Sequence, residues 1–182
     1  MVQYTTAQTE KDLQQILQLQ LANLPTNVSA AEAKEQGFVT VHHSAEILHA
    51  MNTPHPHIIA KVEDKVVGYA LVMLQKFKAE IPVLQPMFKK MNSLSFQNRS
   101  LRATKYFVMG QVCIDKDYRG QGVFKGLYQQ MQQEMAPYFD CIVTEIATRN
   151  TRSMRAHQQL GFEVICIYST AQEEWAIVGW SF

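Results

Sequence analysis

The sequence predicts an α/β domain with one mixed sheet flanked by helices, and two observations lead to this class. Short runs rich in β-branched and aromatic residues alternate along the chain with runs whose apolar residues recur at helical spacing. Two strand–helix–strand units also follow each other, one from Val112 to Cys141 and one from Cys141 to Phe162. Such alternation is typical of sheets that carry helices on their faces.

The first elements are predicted from capping residues and apolar spacing. Thr9 precedes a helix that ends near Pro25, and Asp12 completes a capping box at its start. Ser44 caps a second helix over 45–51. The same part of the chain is also predicted to hold a strand over 2–5, a short helix over 27–36 and an extended segment over 38–41.

A β-hairpin follows, with strands over 58–62 and 66–74, and Gly68 in its second strand indicates a bulge or a close backbone approach. The segment 79–101 is less regular, with a helical turn over 86–91. The remaining predicted elements are strands over 106–114, 141–147, 162–168 and 175–180, the last two antiparallel, and helices over 121–135 and 150–160. Gly161 stands at the position that commonly ends a helix.

Length and composition indicate one globular domain over residues 1–182. The chain has 182 residues, of which 47% are hydrophobic and 18% charged, without internal repeat or linker. Its net charge of +1 lacks the basic footprint of a nucleic-acid-binding protein, so we expect no nucleic-acid partner. No apolar run is long enough to span a membrane and no signal pattern is present. We therefore expect a cytoplasmic protein without a membrane partner.

Neither the cysteines nor the histidines show the spacing of a metal site. Cys113, Cys141 and Cys166 lie in apolar runs without CxxC spacing, which favours reduced core thiols. The histidine pairs at 42–43 and 55–57 have no cysteine or carboxylate beside them that would complete a site. We therefore expect histidines of surface loops, and no metal.

The stretch from Val112 to Gly126 combines a short strand, a tight turn and the start of a helix. Gly120 and Gly122 lie between strand and helix, where the absence of side chains lets a ligand approach the main chain. The N–H groups and the positive dipole end of the new helix would face that ligand, as in a pyrophosphate cradle. A structural turn is the alternative, because neither a P-loop nor a clean dinucleotide fingerprint is present.

Two stretches together resemble the signatures of the GCN5-related N-acetyltransferases, the GNAT superfamily. Residues 119–124 resemble its Q/R-x-x-G-x-G/A motif, and residues 150–162 resemble its second signature, in which an Asn opens a helix that ends in Leu-Gly-Phe. With the strand between them they cover about 106–168. The resemblance implies a mixed, mostly antiparallel central sheet flanked by helices.

The resemblance also implies that the chain binds acetyl-coenzyme A as acetyl donor. The implied cofactor-binding residues are Val112, Cys113 and Ile114 along the pantetheine arm, Arg119, Gly120, Gln121, Gly122, Val123, Phe124 and Lys125 at the pyrophosphate, and Asn150 on the pantetheine arm. Arg119 and Lys125 could instead be solvated charges at a helix start, and Asn150 could be a helix cap. Phe124 departs from the motif, which has Gly or Ala there, and its ring must turn away from the phosphates into the sheet.

Acetyl transfer to an amine requires a base, because an amine with a pKa of about 10.4 is protonated at neutral pH. Glu145, a carboxylate within an apolar strand, is the candidate base, and its alternative is a sheet residue paired with an Arg or Lys. His157 is the candidate acid, since the family often has Tyr at that position. It could instead only hydrogen-bond the helix or the cofactor. Tyr128 and Tyr168 are backup candidates for the acid, although core or rim aromatics are favoured for both.

The expected function is therefore an N-acetyltransferase that moves an acetyl group from acetyl-coenzyme A to a primary amine by direct attack in a ternary complex. The acceptor is a small molecule or a peptide, and a homodimer is possible. The methionines fit core packing, and the alternative for Met87 and Met91 is an apolar acceptor pocket. An acyl-enzyme on Cys113 is disfavoured because no base is matched to it in the sequence. The alternative function is a non-catalytic module that binds acetyl-coenzyme A as a sensor or scaffold.

Overall fold

A computed structural model describes residues 1–24, 26–27 and 42–182 of the chain. Within those ranges there are nine strands and five α-helices. The strands are β1 Gln3–Thr6, β2 Ile58–Val62, β3 Lys65–Met73, β4 Ser95–Phe96, β5 Arg99–Ser100, β6 Tyr106–Ile114, β7 Cys141–Ala147, β8 Glu163–Ser169 and β9 Glu174–Ser181. The helices are α1 Glu10–Ala22, α2 Ala45–Met51, α3 Gln85–Met91, α4 Val123–Met135 and α5 Thr151–Gln159. The predicted helix over 27–36, apart from Asn27, and the predicted segment over 38–41 lie outside the described residues.

Seven strands form one sheet in the order β1-β2-β3-β6-β7-β9-β8, and β4 and β5 pair separately. Neighbours pair antiparallel in β1–β2, β2–β3, β7–β9 and β8–β9, whereas β6 and β7 are parallel. The prediction of a mixed, mostly antiparallel sheet with helices is confirmed. None of the helices in the described residues has the length and apolar composition needed to cross a membrane.

The chain forms two compact units, the first made of residues 1–72 and 110–135 and the second of 73–109 and 136–182. In the first unit α1 begins at the predicted capping box, where the Thr9 hydroxyl accepts from the Asp12 N–H and the Asp12 carboxylate accepts from the Thr9 N–H. Ser44 caps α2 as predicted. The prediction of a single domain stays a prediction.

Gly68 of β3 shows both features that its place in the strand predicts. Gly68 pairs with Ala60 of β2, and the register of the two strands shifts directly after that pair, between Ala60 and Lys61. A Cβ atom on Gly68 would lie 3.3 Å from Cγ1 of Val123 and 3.4 Å from Cδ1 of Leu127, so the absent side chain lets α4 pack closely on this strand.

In the second unit β9 lies between β7 and β8, so the predicted crossover from 141 to 162 joins two strands that are not neighbours. β9 pairs with both of them, from Cys141 opposite Ser181 to Ala147 opposite Trp175 on the β7 side. The parallel ladder of β6 and β7 is shorter and ends at Val108 opposite Val143.

The structure agrees with core packing for Met87 and Met91, and not with the alternative of an acceptor pocket. Both side chains lie on α3 and are fully buried, so they belong to the core of the second unit. Flexible methionine side chains fill such gaps well, and a sequence does not distinguish this use from a pocket lining.

The prediction that the loop histidines lie at the surface is wrong for His43 and His57, which are both buried. His57 Nδ1 accepts from the Val72 N–H at 3.1 Å, and its Nε2 lies 3.1 Å from the Leu48 carbonyl oxygen. A neutral imidazole has one donor and one acceptor, so His57 bonds one backbone group of helix α2 and one of strand β3. Burial accordingly lowers the pKa of His57 to about 4. No cluster of three His, Cys, Asp or Glu side chains that could hold a metal occurs in the described part of the chain.

Candidate active site

The loop between β6 and α4 presents main chain without side chains. Gly120 and Gly122 have φ angles of 73° and 81°, in the left-handed region that favours glycine. A Cβ atom at either position would meet no atom within 4 Å, so both face open space. The first hydrogen bond of α4 runs from the Gly126 N–H to the Gly122 carbonyl at 3.0 Å, and the N–H groups before it have no acceptor within the helix. This arrangement fits a pyrophosphate.

The side chains of Arg119 and Gln121 hold the turn together. Arg119 donates from Nε to the Ile114 carbonyl at 3.1 Å and from Nη2 to the Asn23 side chain at 2.6 Å. Gln121 donates from Nε2 to the Asp117 carbonyl at 2.7 Å. These contacts shape the loop from within, and they favour a bracing role for both side chains over direct contact with phosphate.

The other predicted loop residues divide between core and surface. Val123 is buried, and Lys125 is exposed on the first turn of α4. The Phe124 ring packs against Tyr128 one turn further along α4, with 4.9 Å between ring centroids. The ring therefore has its place on the helix itself, and not in the sheet as predicted.

The predicted pantetheine strand is the end of β6. Val112 and Ile114 are partly exposed, and Cys113 is 7% exposed. Burial raises the pKa of the Cys113 thiol to about 12, so this sulfur is protonated at neutral pH and a poor nucleophile. Because the ladder of β6 with β7 ends at Val108, the main chain of 112–114, and not the cysteine, is the feature that could pair with a ligand.

The first unit also holds a buried polar cluster that sequence reasoning missed. The Gln111 Oε1 atom accepts from Gln20 Nε2 at 2.7 Å and from the Tyr69 hydroxyl at 2.5 Å, and Gln20 Nε2 also lies 2.9 Å from His43 Nδ1. The four residues come from α1, the segment before α2, β3 and β6. The available signal was an amide, Gln20, on the apolar stripe of α1.

Glu145 lies on β7 opposite Ile177 of β9, with its side chain partly buried. Its Oε2 accepts a hydrogen bond of 2.6 Å from the Tyr168 hydroxyl. Burial raises the pKa of the Glu145 carboxyl to about 7, and the Tyr168 hydrogen bond acts in the opposite direction. The partner of Glu145 is therefore the Tyr168 phenol, and not the Arg or Lys expected if Glu145 were only a paired residue of the sheet.

Asn150 and His157 lie at the two ends of α5. The Asn150 Oδ1 accepts from the Ser153 N–H at 3.1 Å. Asn150 therefore caps α5, which is the alternative that the sequence offers for this residue. His157 is 1% exposed, and its Nδ1 lies 2.8 Å from the Ser153 carbonyl. Its ring packs edge-on against Phe162, and burial lowers its pKa to about 4. A neutral ring whose Nδ1 donates to a carbonyl is not suited to give up a proton, so these contacts do not favour the predicted acid role.

Comparisons with known proteins agree with this fold. A model of the acetyltransferase (GNAT) family matches residues 14–162. A search of curated protein sequences finds no significant match.

Among solved structures, the ribosomal-protein-S18-alanine N-acetyltransferase from Escherichia coli matches with a TM-score of 0.62 and 14% identity, over 100% of this chain and 94% of that chain. The yncA protein of Salmonella typhimurium, with its cofactor acetyl-CoA, matches with the same TM-score, identity and coverage. The ribosomal-protein-alanine N-acetyltransferase from Brucella melitensis matches with a TM-score of 0.63 and 16% identity, over 99% of both chains. At these identities the likeness shows the fold, and because the family model matches well over half of the residues, the chain belongs to the acetyltransferase (GNAT) family.

Proposed function

We propose that the protein is an N-acetyltransferase that moves an acetyl group from acetyl-coenzyme A to a primary amine. The observation that carries the proposal is Glu145, a partly buried carboxylate held by Tyr168 with a pKa of about 7, in a chain of this family. A carboxyl group with that pKa is about half ionised at neutral pH, and it can both accept a proton and release it again.

The proposed cofactor contacts use mainly backbone. The N–H groups at the start of α4, behind Gly120 and Gly122, hold the pyrophosphate, because the loop presents them without side chains. Lys125, exposed on the same turn, adds a positive charge. The main chain of 112–114 pairs with the pantetheine arm. Binding of that arm by Asn150, whose Oδ1 caps α5, stays a prediction.

Glu145 serves as the general base. An alkyl amine has a pKa of about 10.4 and is protonated at neutral pH, so its nitrogen gains a free electron pair only when the proton leaves. Glu145 accepts that proton, directly or through a water molecule. Because the base must be ionised, turnover rises as pH increases through about 7.

The acetyl-coenzyme A thioester supplies the activated acetyl carbonyl, and we propose that the amine attacks it directly. Cys113 is nine-tenths buried, with a pKa raised to about 12, which argues against an acyl-enzyme on that residue. His157 remains a testable candidate for the acid, although a buried neutral ring can at most donate an N–H hydrogen bond.

Glu145→Gln tests the proposal. The amide is nearly isosteric but cannot accept the proton, so kcat should fall by about 100-fold or more, while the affinity for coenzyme A stays unchanged. Turnover is followed as release of free thiol from acetyl-coenzyme A with a panel of amines, polyamines and peptides. Affinity is measured by calorimetry.

Glu163→Gln is the matched control, because it neutralises an exposed glutamate on β8 and should leave kcat unchanged. His157→Phe in the same assay tests the acid role of His157, because full turnover in this variant would show that His157 is not the acid. Full activity of Glu145→Gln at every pH would contradict the assignment of the base.

Tight binding of coenzyme A without turnover on any acceptor would favour the second candidate, a sensor or scaffold of the same fold. Two observations keep this candidate open. Phe124 stands where the family motif has Gly or Ala, and the ring of His157 is buried. A cytoplasmic location, a homodimer, and the absence of metal, nucleic-acid and membrane partners stay predictions.

A further inference from the structure

Glu145 and Tyr168 come from strands that are not neighbours. β9 lies between β7 and β8, and in its register Ile177 is opposite Glu145 while Trp175 is opposite Tyr168. The two side chains therefore reach each other diagonally over β9, where they meet at 2.6 Å. A glutamate side chain has three rotatable bonds, and this contact limits where its carboxylate can go.

The residues in register with the pair on β8 and β9 are mostly uncharged. Cys166 is on β8 two residues before Tyr168, and the β9 residues opposite the pair are Ile177 and Trp175, which carry no charge. Ile177 is fully buried, so the carboxylate lies beside an apolar strand. Without a hydrogen-bond donor, a carboxylate in such a place would favour its protonated form.

We propose that Tyr168 is the positioning residue of the Glu145 base: its hydroxyl fixes the carboxylate over β9 and favours its ionised form. This inference rests on the proposed function for its catalytic consequence, but the contact itself does not depend on it. The role differs from that of a proton donor to the leaving thiolate, for which Tyr168 is only a backup candidate in the sequence. A phenol whose proton already bonds a carboxylate, with a pKa raised further by burial and by Glu145, is a poor acid.

Tyr168→Phe removes one oxygen atom and leaves the ring in place. The acid limb of the pH profile of kcat/KM should move up by about one pH unit, because the ionised carboxylate has lost a charge-assisted hydrogen bond. At pH 7 the rate should fall about five-fold, and near pH 9 it should return close to that of the parent protein. A purely structural role for Tyr168 would instead lower the rate by the same factor at every pH.

Tyr138→Phe is the matched control, since it removes a phenol oxygen from an exposed tyrosine of the same unit and should not move the acid limb. Glu145→Asp shortens the carboxylate arm and should break the contact while Tyr168 stays intact. Adding Tyr168→Phe to Glu145→Asp should then change the profile little, because the two substitutions remove the same interaction.

A direct titration tests the inference without any activity. The carbon-13 signal of the Glu145 carboxyl, identified by its loss in Glu145→Gln, should titrate near pH 7 in the parent protein and about one unit higher in Tyr168→Phe. An unchanged midpoint in Tyr168→Phe would overturn the inference. If the carboxyl shifts as expected but the parent protein transfers no acetyl group, the proposed function fails and the role of Tyr168 toward Glu145 stands.

Discussion

Gly120 and Gly122 determine what can approach the start of α4. Both have positive φ angles, and a side chain at either position would extend into the open space in front of the loop. For most other residues the left-handed conformation costs about 1–2 kcal/mol. The same two positions therefore control the stability of the turn and the access of a ligand to the helix N-terminus.

Gly122→Asp should abolish binding of coenzyme A. The substitution places a side chain and a negative charge where the proposed pyrophosphate contacts the N–H groups of α4. Calorimetry with coenzyme A measures the affinity, and circular dichroism shows whether the variant is folded.

Gly122→Asn is the matched control for charge, because asparagine has nearly the same shape as aspartate and tolerates a positive φ angle. It should bind coenzyme A more weakly than the parent protein and more tightly than Gly122→Asp. Unchanged affinity in Gly122→Asp would contradict the assignment of the loop.

At the scale of elements, helix α4 packs closely on the first strands of the sheet. A Cβ atom on Gly126 would lie 2.1 Å from Cζ of Tyr4, so the Tyr4 ring occupies the space that a side chain would need. α4 contacts both β1 and β2 in this way. The glycine weakens the helix by roughly 0.5–1 kcal/mol relative to alanine, and the close contact with the strand is what it permits.

Gly126→Ala should destabilise the protein by about 1 kcal/mol, because the displaced Tyr4 ring costs more than the gain in helix propensity. In a Tyr4→Ala background the same substitution should stabilise it by roughly 0.5–1 kcal/mol, since the obstacle is gone. Urea unfolding measures the free energy of unfolding of the parent protein, the two single variants and the double variant. Equal effects of Gly126→Ala in both backgrounds would show that the contact does not matter.

At the scale of the whole molecule, buried ionisable groups make stability depend on pH. Burial is the main cause that lowers the pKa of each of His43, His57 and His157 from 6.5 to about 4. Between those values the unfolded chain binds protons that the folded protein does not, so stability falls as pH decreases. Glu145 has the opposite effect and adds stability as pH decreases. Its raised pKa means that the folded protein holds a proton between pH 7 and 4.5 that the unfolded chain releases.

The three histidines have a larger combined effect than the one glutamate, so the free energy of unfolding should fall by on the order of 5 kcal/mol from pH 7 to pH 4.5. Urea unfolding at the two pH values measures the difference. His157→Gln should reduce it, because glutamine does not titrate but can still donate to the Ser153 carbonyl. Equal stability of the parent protein at both pH values would contradict the prediction.

Features that depend only on neighbouring residues follow from the amino-acid sequence. The Thr9 and Ser44 caps, the Asn150 cap and the paired glycines between β6 and α4 all lie where the sequence predicts them, since capping and positive φ angles are local requirements. The order of the seven strands of the main sheet follows from apolar spacing in the same way, whereas the short pair of β4 and β5 does not. Because its signatures are made of such local features, the family could be recognised from the sequence alone.

The meeting of distant side chains, in contrast, depends on the tertiary structure. The insertion of β9 between β7 and β8 brings Tyr168 of β8 to Glu145, and no local pattern encodes that pairing. Burial likewise gave His157 a neutral ring bonded to its own helix, although its position in the family motif predicted an acid. A residue type states which chemistry is available, whereas its solvation and its partners, which come from long-range packing, decide which proton it holds.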